Sequence, residues 1–214
     1  MLNCAEELIL LALDDESGAF YRTTSINFNL ALIGALMMDL VLRKRIDIDL
    51  EHIYIISNEP TGDVFLDHVL DVAGEPESSG ETAKLVRYLY NSLEHLKEKL
   101  LESLEHKGVV RVEESKVLWL FKQRRYPVID CTEEEEVLCR IRKTVLSDII
   151  PKPKDLALIA LLDTCDLMDK LFSKEELHLR QDRIDVLRKM DLISHAVNRI
   201  IGEVQVMIAS TFIT

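Results

Sequence analysis

Apolar residues along this chain recur mostly at three- and four-residue steps, the spacing that gives a helix one buried face. Asn3-Cys4-Ala5-Glu6 has capping-box spacing and predicts a helix that turns Leu8, Ile9, Leu11 and Ala12 inward, ending at the turn Asp14-Asp15-Glu16-Ser17-Gly18. After a short segment around Phe20, the most apolar run, Leu30 to Leu42, predicts a fully buried central helix over roughly Asn27 to Arg43. The period then switches. Ile46, Ile48 and Leu50 alternate with Asp47, Asp49 and Glu51 as in a strand, and Tyr54 to Ile56 reads as a second one. Pro60-Thr61-Gly62-Asp63 forms a turn before an amphipathic helix bearing Val64, Leu66, Val69 and Leu70.

Glu75 to Gly80 reads as a loop. Beyond it Leu85, Leu89, Leu93, Leu96, Leu100 and Leu104 predict one long helix, stopped by Gly108. A hairpin follows from Val109 to about Val128, and Thr132-Glu133-Glu134-Glu135 repeats the capping-box spacing at the start of another helix. Pro151 and Pro153 separate that helix from one over about Asp155 to Phe172. Ser173-Lys174-Glu175-Glu176 caps the next, and Ile184 to Phe212 reads as helical with one glycine. The fold class expected is mainly α: one domain over residues 1–214 around a buried central helix, with short β-hairpins, one of them a protruding apolar hairpin.

That hairpin carries the functional reading. Val117, Leu118, Trp119, Leu120 and Phe121 include the only tryptophan and precede Lys122, Gln123, Arg124 and Arg125. Extended, the five residues are apolar on both faces, so one face needs a membrane, a partner or more of the chain to cover it. Burying Leu118, Leu120 and Trp119 in lipid would yield about 1.5–3 kcal/mol each. Basic residues near an anionic surface add about 1 kcal/mol apiece.

Composition narrows the partners. The chain has 214 residues, 48% of them hydrophobic and 30% charged, enough for one sizeable core. Seven glycines and five prolines favour long helices over many short strands. A net charge of −12 opposes broad adhesion to nucleic acid, so an anionic partner must meet a local basic patch. Glu94, Glu98, Glu102 and Glu105 on the helix before the hairpin argue against a winged-helix DNA binder. Cys4, Cys131, Cys139 and Cys165 are scattered as reduced thiols, no cofactor or metal is expected, and no leader precedes the first helix pattern, which points to a cytoplasmic setting. The six histidines (His52, His68, His95, His106, His178, His195) show no catalytic or metal spacing. Asp163, Asp166 and Asp169 read as a solvated helix stripe opposite Leu162, Leu167 and Leu171.

Several blocks in order resemble the Golgi phosphoprotein 3 family (the GPP34-like domain). They are Ala5 through Gly18, Leu40-Val41-Leu42-Arg43-Lys44-Arg45-Ile46, Pro60-Thr61-Gly62-Asp63-Val64, and Leu100 through Val109. The resemblance implies a mainly helical, non-enzymatic peripheral membrane protein. Eukaryotic members recognise phosphatidylinositol 4-phosphate and sort Golgi glycosyltransferases, with a hydrophobic hairpin entering the bilayer. The hairpin corresponds here to Val117–Phe121. The family's headgroup pocket uses a tryptophan and an arginine flanking the start of the buried helix, and an ungapped count places Thr24 and Ile33 there. Two further arginines fall at Glu94 and Lys97, so only Lys97 keeps its sign, and lysine lacks the guanidinium's bidentate geometry. Arg22, Arg87 and Lys99 are candidates for a different anion site. The chain reads as a compact, core-only relative, for which glycosyltransferase sorting is not expected. The leading expectation is reversible docking on anionic, phosphoinositide-like membrane lipid through Val117–Phe121, with Lys122, Arg124 and Arg125 as electrostatic guides. The alternative is a soluble homo-oligomer or interaction module that uses the hairpin as its interface without binding lipid.

Overall fold

The computed structural model describes residues 2–14, 17–21, 25–49, 51–76, 80–117 and 121–189. Helix α1, Cys4–Leu11, starts at Asn3, whose side chain accepts from the Glu6 amide while the Glu6 carboxylate accepts from the Asn3 amide. Every residue of α1 is buried, including both glutamates. The sequence pattern gave it only one inward face. Helix α2, Ser25–Leu42, is the central helix, packed against α1 and against five of the elements that follow. It is apolar around its circumference because it has neighbours on every side. Its one carboxylate, Asp39, is buried and accepts the Cys4 amide at 2.5 Å, where the N-terminal end of α1 favours an anion.

Strands β1, Ile46–Ile48, and β2, Ile53–Ile55, pair antiparallel with Asp47 opposite Tyr54. Helix α3, Val64–Ala73, is capped by Asp63, and it buries Leu66, Val69 and Leu70 as expected but leaves Val64 74% exposed in its first turn. The leucine ladder that predicted one long helix is two helices, α4, Thr82–Ser92, and α5, Leu96–His106. The break falls at Leu93 to His95, where His95 takes a left-handed conformation (φ 59°). Both helices bury their leucines, so the spacing survives a change of direction that it could not reveal.

Strands β3, Glu113–Val117, and β4, Phe121–Arg125, form the expected hairpin, closed at its base by a bridge between Val110 and Val128. Val117 pairs with Phe121, so these five residues are not one extended strand; the chain reverses between them. Helix α6, Cys131–Leu146, is capped by Asp130, which accepts from the Thr132 amide, and not by Thr132 itself. The single helix expected over Asp155 to Phe172 is α7, Pro153–Thr164, and a short α8, Met168–Leu171. Between them the Leu167 amide donates to the Leu162 carbonyl at 2.9 Å and the Asp166 amide to Asp163 at 3.0 Å, with Asp166 at φ 57°. This is a Schellman termination with aspartate in the place glycine usually holds. It also removes the three-aspartate stripe from a common helix face. Helix α9, Lys174–Leu179, has the Ser173 capping box that the sequence announced, and α10, Gln181–Lys189, packs on α7. The rest of the helix expected over Ile184 to Phe212 lies outside the described residues. Among those residues the molecule is mainly α, with ten helices and two two-stranded sheets.

Ion pairs fix α1 within this frame. Glu6 accepts from Lys107 at 2.6 Å and from the Ser103 hydroxyl at 2.8 Å. Glu7 accepts from Arg140 at 2.9 Å and Lys154 at 2.8 Å, while Arg140 also donates to Asp155 at 2.8 Å. Burial alone would ease the Arg140 proton off, but its bonds to Glu7 and Asp155 outweigh this and hold the guanidinium protonated more firmly than usual.

Candidate functional site

The hairpin and the loop between α1 and α2 are fastened to each other. The Tyr126 amide donates to the Gly18 carbonyl at 2.7 Å, and a β-carbon on Gly18 would lie 2.6 Å from the Pro127 nitrogen. Gly18 also stands at φ 61°, so both space and backbone require glycine there. The loop then returns to pair Phe20 with Leu13. Phe20 meets Tyr126 edge-on at 6.1 Å and Phe28 of α2 at 5.7 Å. Residues from the loop, the central helix and the hairpin base thus share one aromatic cluster.

Beside this cluster opens a cleft of about 270 Å³, lined by Phe20, Tyr21, Phe28, Asn29, His95, Lys97 and Glu98. The Lys97 ammonium stands 4.9 Å over the Phe20 ring, a cation–π contact, and 3.9 Å from the Glu98 carboxylate. The left-handed turn at His95 brings the start of α5 to the cleft. Burial raises the Tyr126 phenol pKa, opposed by a hydrogen bond with Arg124, while Glu98 and Glu102 raise it further. Arg124 therefore lies at the hairpin base beside the cleft, close to the acidic face of α5.

The structure gathers Lys97 and Arg124 around the Phe20–Tyr126 pair. It does not gather the other candidates. Arg87 is exposed on α4, and Lys99 is exposed on α5 about 200° around the helix from Lys97. Arg125 pairs in register with Glu113 and Arg124 with Glu114, so the basic cluster faces acidic positions across the hairpin. Lys122 is placed only by its backbone, opposite Lys116. Val117 and Phe121 end the strands, while Leu118, Trp119 and Leu120 lie outside the described residues, as do Arg22 and Thr24. Ile33 is 1% exposed in the core and so is not a cleft residue, and Glu94 is exposed at the α4–α5 junction without lining it. The sequence reading missed Phe28, Tyr126 and the cleft role of His95. Apart from Val117 and Phe121 the strands are polar in sequence, and among the described residues they make few contacts with any helix.

Among the described residues no cluster of histidine, cysteine, aspartate and glutamate is suited to a metal, and no helix is long and apolar enough to cross a membrane. The fold and cleft define a class: a mainly helical domain with a β-hairpin rooted beside an aromatic, cation-bearing recess. A family model described as Golgi phosphoprotein 3 (GPP34) matches residues 4–204, nearly the whole chain. The chain belongs to the Golgi phosphoprotein 3 family.

Proposed function

We propose that this protein docks reversibly on anionic membranes, with the Val117–Phe121 tip entering the bilayer and the cleft receiving a phosphorylated headgroup. The observation that carries this reading is the shared Phe20–Tyr126 contact. It ties the root of the hairpin to a recess whose wall holds Lys97, so one approach can serve both. A headgroup phosphate would take Lys97 from Glu98, with Arg124 adjacent at the hairpin base. A lysine acts as a point charge and lacks the bidentate geometry of arginine, so discrimination among phosphoinositides is expected to be modest. Arg22, Arg87 and Lys99 serve at most as long-range attraction for the anionic surface.

Sedimentation with vesicles tests this, using zwitterionic lipid alone, with phosphatidylserine, and with phosphatidylinositol 4-phosphate. The wild type should pellet with both anionic compositions and not with the first. Trp119→Asp should abolish pelleting. Lys97→Ala should weaken it about 5-fold and the paired change Arg124→Glu with Arg125→Glu at least about 30-fold, as expected for losing roughly 1 kcal/mol per cation. If the wild type stays in solution with every composition while Trp119→Asp dissociates an oligomer, the hairpin is a protein interface and the membrane reading falls.

A further inference from the structure

The turn between α4 and α5 is made by a residue poorly suited to its backbone. His95 is left-handed, at φ 59°, a conformation that glycine or asparagine takes at lower cost. It occupies the position before the first turn of α5, yet its side chain does not cap the helix. Among the described residues the ring makes no hydrogen bond and no ion pair. It stands exposed in the wall of the cleft, beside Lys97 and Glu98 and facing Phe20, Tyr21 and Asn29. The ring is thus presented to the recess and used by nothing else in the fold.

The fixed charges around it come close to cancelling. On α5 the Lys97 ammonium lies 3.9 Å from the Glu98 carboxylate, with Glu102 one turn further along and Glu94 just ahead in the turn. The loop after α1 brings Tyr21, which is hydrogen-bonded to the Asp14 carboxylate. The central helix brings Phe28 and Asn29, neither of which titrates. At the hairpin base Arg124 is hydrogen-bonded with Tyr126. Lys97 and Arg124 therefore stand against Glu94, Glu98 and Glu102, with Asp14 behind Tyr21, and a phosphate entering the recess meets no surplus of positive charge. Histidine is the side chain whose charge changes between about pH 5 and 8, and once protonated both of its ring nitrogens donate.

We propose that His95 is a phosphate-binding residue of the cleft in its protonated form, its imidazolium and the Lys97 ammonium holding a phosphomonoester between them, so that docking is governed by pH. The inference rests on the membrane-docking reading and adds the regulation of that same site. The sign follows from linkage. An anion bound beside the ring favours the imidazolium, so binding takes up a proton and affinity rises as pH falls through the histidine range.

Sedimentation of the full chain with vesicles containing phosphatidylinositol 4-phosphate, at about pH 6 and about pH 7.5, brackets the histidine range. Vesicles given the same surface charge by phosphatidylglycerol offer phosphodiesters alone. His95→Asn suits the left-handed turn and does not titrate. His95→Lys carries a fixed charge, in a conformation that Lys44 already holds after α2 (φ 56°). The phosphomonoester gains a proton of its own near pH 6, but this acts on all three proteins alike, so ratios of affinity isolate His95. Wild type should bind within about 2-fold of His95→Asn at the higher pH and about 5–10-fold more tightly at the lower, as one added cation predicts. His95→Lys should exceed His95→Asn about 5-fold at both. A ratio that does not change with pH overturns the assignment and leaves docking intact. So does His95→Lys binding no better than His95→Asn, or an equal shift on phosphatidylglycerol, which would make His95 a general surface charge. Wild type that pellets at neither pH refutes docking itself. Calorimetry with glycerophosphoinositol 4-phosphate, the same headgroup without acyl chains, separates the sources. If it binds with the same pH-dependent ratio while vesicles do not, His95 stands as a phosphate ligand and the membrane falls as its source.

Discussion

Replacing Arg140 by alanine tests whether the buried ion network holds the first helix in place. The guanidinium is 23% exposed, but the two carboxylates it serves, Glu7 and Asp155, are each only 5% exposed. Removing it leaves Asp155 without a cation and Glu7 with Lys154 alone, at 2.8 Å. Stranding a buried charge in this way costs about 3–5 kcal/mol. The remaining lysine, water entering the vacated slot and the favourable position of Asp155 in the first turn of α7 all reduce the loss. The expected destabilisation is therefore at the low end, about 3 kcal/mol, which for a chain of this size lowers Tm by about 6–12 °C. Urea unfolding followed by circular dichroism measures it. Asp155→Ala should cost clearly less in the Arg140→Ala background than in the wild type, because its partner is already gone. A loss below about 1 kcal/mol for Arg140→Ala, or equal costs for Asp155→Ala in both backgrounds, would refute the network as the anchor of α1.

Asn3→Ala removes both the α1 cap and the bond to Asp63 at 3.0 Å, and should cost about 1–2 kcal/mol in the same unfolding assay. Burial raises the Asp39 pKa, partly opposed by the Cys4 amide, so the native state takes up this proton more readily than the unfolded chain. Stability from this group is lowest above its folded pKa and recovers as pH falls toward the unfolded value near 4; relative to Asp39→Asn, the wild type should gain between pH 7 and about pH 4. A flat difference between the two proteins would contradict that. Gly108→Ala meets open space but a φ of +74°, so backbone strain alone should destabilise by about 1 kcal/mol, whereas Asp166→Gly should stabilise by about 0.5–1 kcal/mol. Thermal melts of both variants check the pair of opposite signs.

The chain displays its fold class openly because burial period and capping act locally. Asn3 with Glu6, and Ser173 with Glu176, announce real helix starts, and the apolar run before Arg43, interrupted only by Asp39, marks the central helix. Helix ends were harder to read. Gly108 stops α5 as a glycine should, but the same Schellman geometry is held by Lys44 after α2 and by Asp166 after α7, residues that carry no stop signal. Hence Asp155 to Phe172 read as one helix. At α6, Asp130 is a cap as competent as Thr132, and only the backbone decides between them. Lys97 was legible as a surviving cation in an acidic helix. Its aromatic setting was not, because Phe20, Phe28 and Tyr126 meet from three segments far apart in sequence and share no local period.

The burial of α1 has a consequence for how the molecule is made in the cell. Glu6 awaits Lys107, and Glu7 awaits Arg140 and Lys154, so α1 has no finished surroundings until Lys154, about 150 residues later, has been synthesised. At about 5–20 residues per second, the wait from Cys4 to Lys154 is roughly 8–30 s. During that interval a strongly apolar segment is on offer to chaperones, and nascent chains stalled before α7 should be captured by them far more readily than chains stalled after it.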